Sequence, residues 1–152
     1  MNRKFQSALF CCDYNSVRSP MAEGICKNFY SDSIFVQSAG VKNVQKIDEF
    51  AIEVCKEINV ELENHHVRSF EDMESWGDNI SSFDIIIALS PSALRASLEY
   101  TRYYSLEIEF WKIIDPTGIK NSRSATLDIY RITRDQLKNK ILEKFKIWFF
   151  FK

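Results

Sequence analysis

The residues best placed for covalent chemistry lie in one short segment, Cys12-Asp13-Tyr14-Asn15-Ser16-Val17-Arg18-Ser19-Pro20. A cysteine closes an apolar run, an arginine follows six positions later, and a Ser-Pro pair opens a helix at once. A loop of that length can turn the backbone N–H groups of Asp13, Tyr14, Asn15, Ser16, Val17 and Arg18 around one tetrahedral oxyanion. The helix N-terminus behind it aims partial positive charge at the same point. Arg18 can clamp two oxygens of a phosphate with its planar fork. The same donors favour the thiolate of Cys12, which is the nucleophilic form. A thiolate on the floor of an anion site can attack the phosphorus of a bound monoester. Ser19 can donate to the sulfur and improve it as a leaving group afterwards. Cys11 sits inside the apolar run, one residue too far from Arg18, and reads as a packing thiol.

Such a reaction needs a proton for the departing oxygen, and a carboxylic acid on a neighbouring loop can supply it. Asp115-Pro116 follows an apolar run and suits that role, although Asp-Pro is also ordinary turn chemistry. The segment from Cys12 to Arg18 contains no glycine, yet a tight anion cradle usually needs one residue at positive φ. Asn15 tolerates the left-handed region better than other non-glycine residues.

These residues need elements to hold them. Ala8–Cys12 reads as a buried strand. Pro20–Tyr30 carries Met21, Ile25 and Phe29 at helical spacing, with Pro20 in the first turn and Arg18 or Ser19 just outside. Ile34–Ala39 alternates and meets Gly40, as a strand does. Ile47–Asn59 carries Phe50, Ala51, Val54, Cys55 and Ile58 on one helical face. Phe83–Leu89 reads as a strand buried on both faces, and Ser90-Pro91 opens a helix to about Tyr100. Leu106–Ile114 is the fourth strand. The last helix starts near Ser124, with Leu127, Tyr130, Leu137, Ile141 and Phe145 inward. This alternation predicts an α/β fold, a three-layer αβα sandwich on a central four-stranded parallel sheet. Sites in such sheets lie at the carboxyl ends of strands, here the loops after Cys12, Ala39 and Ile114.

Composition narrows the alternatives. The 152 residues suit one domain, 1–152, able to bury a core without metal or disulfide staples. Lys and Arg number 20 against 21 Asp and Glu, a net charge of −1 that argues against a nucleic-acid or anionic-membrane binder. The four cysteines form no CxxC pair and no disulfide framework, and no metal or cofactor is expected. The four glycines, Gly24, Gly40, Gly77 and Gly118, lie far apart, so no GxGxxG or Walker-type loop occurs. No stretch reads as a signal peptide or membrane span, so a cytoplasmic location with free thiols is expected.

The run from Cys12 to Arg18, with Ser19-Pro20-Met21-Ala22-Glu23 after it, resembles the signature loop and first helix of the low-molecular-weight protein tyrosine phosphatase family. That family also includes thioredoxin-coupled arsenate reductases. Ser38-Ala39-Gly40 looks like its segment after the second strand, and Asp84 to Leu89 like its third central strand. Asp115-Pro116 looks like its general-acid loop, and Tyr130-Arg131 with Arg134-Asp135 falls in its last helix. The resemblance runs from about Ser7 to Phe145. It implies a cysteinyl-phosphate intermediate on Cys12, Arg18 as the phosphate clamp, and Asp115 as the acid and then the base that activates water. It also implies that Asn15 is held by Ser38 and His65, with His66 one residue away as the alternative.

Several positions depart from the family pattern. Tyr14 replaces a common glycine, and Val17 a second cysteine that could protect the nucleophile by a disulfide. Ser90 stands in the place of an aspartate, and Thr117-Gly118 in place of pocket tyrosines. The loop from Val41 to Ile47 lacks an aromatic ring, so phosphotyrosine would find few stacking partners. The first reading is a phosphomonoesterase acting on phosphorylated protein or a small phosphomonoester. An arsenate reductase on the same scaffold is the second, but no cysteine follows Cys55 to serve a thiol relay. A non-catalytic phosphate-binding module is the third, and it would not need Cys12 together with Asp115. The aromatic ending Ile147-Trp148-Phe149-Phe150-Phe151 either caps the core or offers a self-association patch.

Overall fold

A computed structural model describes residues 5–42, 46–100, 106–118 and 121–150, with side chains as far as Phe145. Four parallel strands form one sheet: β1 (Ser7–Cys12), β2 (Phe35–Gly40), β3 (Ile85–Ala88) and β4 (Glu107–Phe110), in the order β2-β1-β3-β4. Helices α1 (Arg18–Tyr30), α2 (Glu49–Lys56), α3 (Phe70–Ser75), α4 (Pro91–Tyr100) and α5 (Arg123–Phe150) connect or flank them. The strand order leaves β1 in the middle, with β2 on one side and β3 on the other. The chain therefore reverses direction across the sheet between β1 and β3, where open α/β sheets form a crevice at their carboxyl ends.

The register puts the strand ends level. Cys12 pairs with Gly40, Cys11 with Ala88 and Ala88 with Phe110. Side chains alternate along β1. Ala8, Phe10 and Cys12 face a core layer with Met21, Ile25, Val54, Leu137, Ile141 and Phe145. Leu9 and Cys11 face the opposite layer with Phe70, Met73, Ile80 and Ala93. The helices thus divide into α1, α2 and α5 on one face and α3 and α4 on the other, the three-layer arrangement read from the alternation. β3 is Ile85-Ile86-Ile87-Ala88 and fully buried, so β-branched side chains pack on both its faces.

Some boundaries differ from the sequence reading, each for a local reason. Helix α1 starts at Arg18, so Arg18 and Ser19 lie inside it and Pro20 in its first turn. Residue Val17 at its N-terminus provides no side-chain cap, which leaves the first N–H groups directed at the loop. Helix α2 is shorter than Ile47–Asn59: Asp48 caps it by accepting from the Phe50 and Ala51 N–H groups, and Asn59 turns away at φ 62°. The fourth strand stops at Phe110 rather than Ile114. Beyond it, Gln136 of α5 takes over, accepting from the Ile114 N–H and donating to the Lys112 carbonyl. Helix α3 and the 3-10 turn Ile80–Ser82 were not anticipated. The signal for α3 is Ser69-x-x-Asp72, whose side chains close a reciprocal capping box. The α5 backbone continues to Phe150, but the side chains of Ile147, Trp148, Phe149 and Phe150, and all of Phe151, lie outside the described residues.

Candidate active site

The turn after β1 folds back over the sheet end because residues beyond β2 hold it there. The Val41 N–H donates to the Cys12 carbonyl at 3.0 Å and the Lys42 N–H to that of Asp13 at 2.9 Å. Gly40 makes this approach possible. A Cβ at that position would stand 2.6 Å from Asn15 N, Tyr14 C and Lys42 O, all backbone atoms that cannot swing aside. Asn15 occupies the left-handed region at φ 56°, as its type allowed.

Asn15 is fully buried and uses its whole amide. Its Nδ2 donates to Ser19 Oγ at 2.8 Å and to Ser38 Oγ at 2.9 Å. Its Oδ1 accepts from the Arg68 N–H at 3.0 Å and bonds His65 Nε2 at 2.9 Å. An amide oxygen can only accept, so His65 carries its proton on Nε2. The partner is therefore His65, not His66. Burial, aided by the charges of Arg68, Lys27 and His66 and opposed by Glu23, pushes the His65 pKa down to about 4. The ring is neutral at pH 7.

Two residues that sequence reasoning did not single out complete this support. Glu23 of α1 accepts from Ser38 Oγ at 2.6 Å, from Lys27 Nζ at 2.6 Å and from Arg68 Nη2 at 3.2 Å. Burial alone would raise its pKa, but the hydrogen bonds from Lys27 and Ser38 and the nearby positive charge outweigh that and hold it below the usual range. Arg68 also donates Nε to the Ser38 carbonyl at 2.9 Å. One guanidinium thereby joins β2, α1 and the segment that leads into α3.

The support converges on a sulfur. Ser19 Oγ lies 2.9 Å from Cys12 Sγ, and the Ser19 N–H points at the same atom from 3.4 Å. Because the Asn15 amide donates to Ser19 Oγ, the hydroxyl proton is left for Cys12 Sγ or, at 3.4 Å, the Ala39 carbonyl. Cys11 points to the other face and meets Ser97 Oγ at 3.3 Å. Burial pushes the thiols of Cys11, Cys26 and Cys55 up to about 12.

A cleft of about 260 Å³ opens above Cys12, lined by Cys12, Asp13, Tyr14, Ser16, Val17, Arg18, Asp115 and Thr117. Arg18 is buried along its length. Its Nη1 donates to the carbonyls of Leu89 at 3.2 Å and Ile113 at 3.3 Å, at the ends of β3 and of the segment after β4. Those two bonds fix the plane of the fork. The other end, Nη2, lies 3.4 Å from Asp13 Oδ2 and 3.6 Å from Asp115 Oδ2. Asp115 is half exposed and locked by its own turn, its Oδ1 accepting from the Thr117 N–H at 3.0 Å and Thr117 Oγ1 at 2.7 Å. Ser90 donates to Asp13 Oδ1 at 2.7 Å and Ser92 bonds the same oxygen. The carboxylate that the resemblance places at position 90 is thus missing there, and Asp13 supplies one a hydrogen bond away. All the residues singled out from the sequence come together: seven around the cleft and Asn15, Ser19, Ser38 and His65 beneath it.

Comparison with known proteins finds relatives along most of the chain. The family described as "Low molecular weight phosphotyrosine protein phosphatase" matches residues 7–145. An arsenate reductase of Staphylococcus aureus is 29% identical over 138 residues, 91% of this chain and 94% of that protein. The glutaredoxin arsenate reductase of Synechocystis sp. is 26% identical over 137 residues, 90% of this chain and 93% of that protein. Among solved structures, the YwlE arginine phosphatase is similar with a TM-score of 0.72 at 25% identity, covering 93% of this chain and 94% of that one.

Proposed function

This chain belongs to the low-molecular-weight phosphotyrosine protein phosphatase family, and from that premise we propose that it is a cysteine-dependent phosphomonoesterase. The observation that carries the reading is the meeting of three groups in one cleft: Cys12 Sγ with a serine donor, the Arg18 fork, and the Asp115 carboxylate. Arg18 and the loop N–H groups hold the phosphoryl oxygens. The Cys12 thiolate attacks phosphorus, and the bond from phosphorus to its carrier breaks. Asp115 gives its proton to the departing atom. Water then attacks the cysteinyl phosphate, Asp115 takes a proton back, and the P–S bond breaks to release inorganic phosphate. The Ser19 hydroxyl stabilises the sulfur as it leaves.

The substrate is a phosphorylated protein or a small phosphomonoester, handled by one domain spanning 1–152 in the cytoplasm. Among the described residues lining the cleft, Tyr14 alone carries a ring, so these residues offer a substrate little aromatic stacking.

Purified protein is expected to hydrolyse p-nitrophenyl phosphate. Cys12→Ser should abolish turnover while orthovanadate or phosphate binding largely survives. Turnover retained in Cys12→Ser would remove the mechanism.

The names of the curated relatives favour one further reading, arsenate reduction. Arsenate to arsenite takes two electrons, hence two thiols per turnover. Cys11, Cys26 and Cys55 are buried with thiol pKa values near 12, so they offer no second thiolate. Reduction on Cys12 would draw its other thiol from a dissolved thiol or thiol protein. Arsenate turnover with such a thiol, without p-nitrophenyl phosphate hydrolysis, would favour this reading over the first.

A further inference from the structure

Between the end of β4 and Asp115, residues Lys112 to Ile114 form no regular element. Side chains hold this stretch instead. The Gln136 amide of α5 accepts from the Ile114 N–H at 3.1 Å and donates to the Lys112 carbonyl at 3.1 Å. A strand residue makes that same pair of bonds with a parallel neighbour, one on each side of its register partner. A single side chain here does the work of a fifth strand. The carbonyl of Ile113, between the two, accepts from Arg18 Nη1 at 3.3 Å. The buried Thr133 hydroxyl stands 3.3 Å from the Ile114 carbonyl and 3.2 Å from that of Ile129, one turn back on its own helix. The carboxylate of Asp115 is thus placed in two steps. Its backbone origin is set by α5, and its side chain is then turned by the Thr117 N–H and hydroxyl. Gln136 is not among the residues lining the cleft, so its route to the reaction is this segment.

We propose that Gln136 is a positioning residue for the general acid: its amide fixes the peptide unit before Asp115, and with it the reach of the Asp115 carboxyl to the oxygen that leaves phosphorus. The inference rests on the phosphatase reading of the cleft. Cys12 attacks phosphorus, the P–O bond breaks, and the Asp115 proton goes to the departing oxygen; Gln136 exchanges no proton and supplies placement alone. A shift of about 1 Å in a reacting group costs up to roughly a hundredfold in rate. That loss falls unevenly across substrates. A weakly basic oxygen such as p-nitrophenolate departs with little help from an acid, whereas the more basic phenolate depends on the proton.

The competing role for Gln136 is architectural, as a tie between α5 and the sheet edge. Gln136→Met keeps the length of the side chain and removes both bonds, while Gln136→Glu keeps an acceptor for the Ile114 N–H and loses the donor. The test is kcat/KM for phenyl phosphate and for p-nitrophenyl phosphate, which covers the steps through P–O cleavage. The ratio of the first to the second should fall roughly tenfold in Gln136→Met and roughly threefold in Gln136→Glu. In an Asp115→Asn background, Gln136→Met should leave the ratio where Asp115→Asn alone puts it, because the group it positions is gone. Both activities falling by one factor would assign Gln136 the architectural role and overturn the inference. So would a change of ratio that persists in full without the Asp115 carboxyl. Should Gln136→Met not fold, the Gln136→Glu ratio decides in the same two directions. A wild type that hydrolyses neither substrate overturns the phosphatase reading itself, and the inference with it.

Discussion

At His65 the support for the loop becomes sensitive to acid. The ring donates Nε2–H to Asn15 and lies 4.0 Å from Glu23 through Nδ1, with Arg68, Lys27 and His66 nearby. In the unfolded chain its pKa returns to about 6.5, against about 4 when folded. Between those values the unfolded state binds a proton that the native state excludes, so stability falls as pH drops from 6.5 to 4 and levels off below. The loss is on the order of 2–3 kcal/mol. Glu23, held ionised, adds a loss of the same sign further into the acid range, where the carboxylate protonates. Urea midpoints at pH 7, 5.5 and 4.5 should fall steadily for the wild type. His65→Gln, which can still donate to Asn15, should flatten the fall between 6.5 and 4 while leaving the deeper acid loss. A wild-type midpoint constant across that window would mean the ring is charged in the folded protein.

Between elements, the decisive contact is where the end of β2 passes under the loop after β1. Gly40→Ala sets a methyl group 2.6 Å from three backbone atoms, two of them in the loop itself. The loop must move. Overpacking against backbone of this kind costs on the order of 3 kcal/mol, and phosphatase activity should fall with it, since the displaced atoms belong to Tyr14 and Asn15. Thermal melting and p-nitrophenyl phosphate turnover on one preparation check both effects; a variant as stable and active as wild type would show that the loop tolerates a wider passage. This contact also marks how far the sequence can be read. Cys12, Arg18 and Asn15 lie within one loop, so their types and spacing state their relation directly. The four strands were legible because apolar runs and alternation are local patterns. Glu23 and Arg68 were not, because an acidic residue on a helix and an arginine in a connector look like ordinary surface charges. Their partners stand 15 and 30 residues away at Ser38, and only the packed sheet brings them together. Helix α3 was missed because six residues show too little periodicity, although its capping box was in plain view.

Across the whole molecule, the sheet separates two helical layers, and that division decides the fate of every sulfhydryl. Cys12 faces the layer of α1 and α5 at the open end of the sheet; Cys11, one residue back, faces α3 and α4. Cys26 and Cys55 are sealed within α1 and α2. Helix α5 closes the larger layer as far as Phe145, whose ring is fully buried 5.9 Å from that of Tyr30. The arrangement has an analytical consequence. Under native conditions iodoacetamide should incorporate one equivalent rapidly, suppressed by phosphate, and four equivalents once the protein is denatured, as mass spectrometry would count. A second rapid equivalent in the folded state would mean that one of the inner sulfurs reaches solvent. Where the count is one, each label marks one correctly folded molecule, and the fraction of a preparation that is competent can be read from its mass spectrum before any substrate is known.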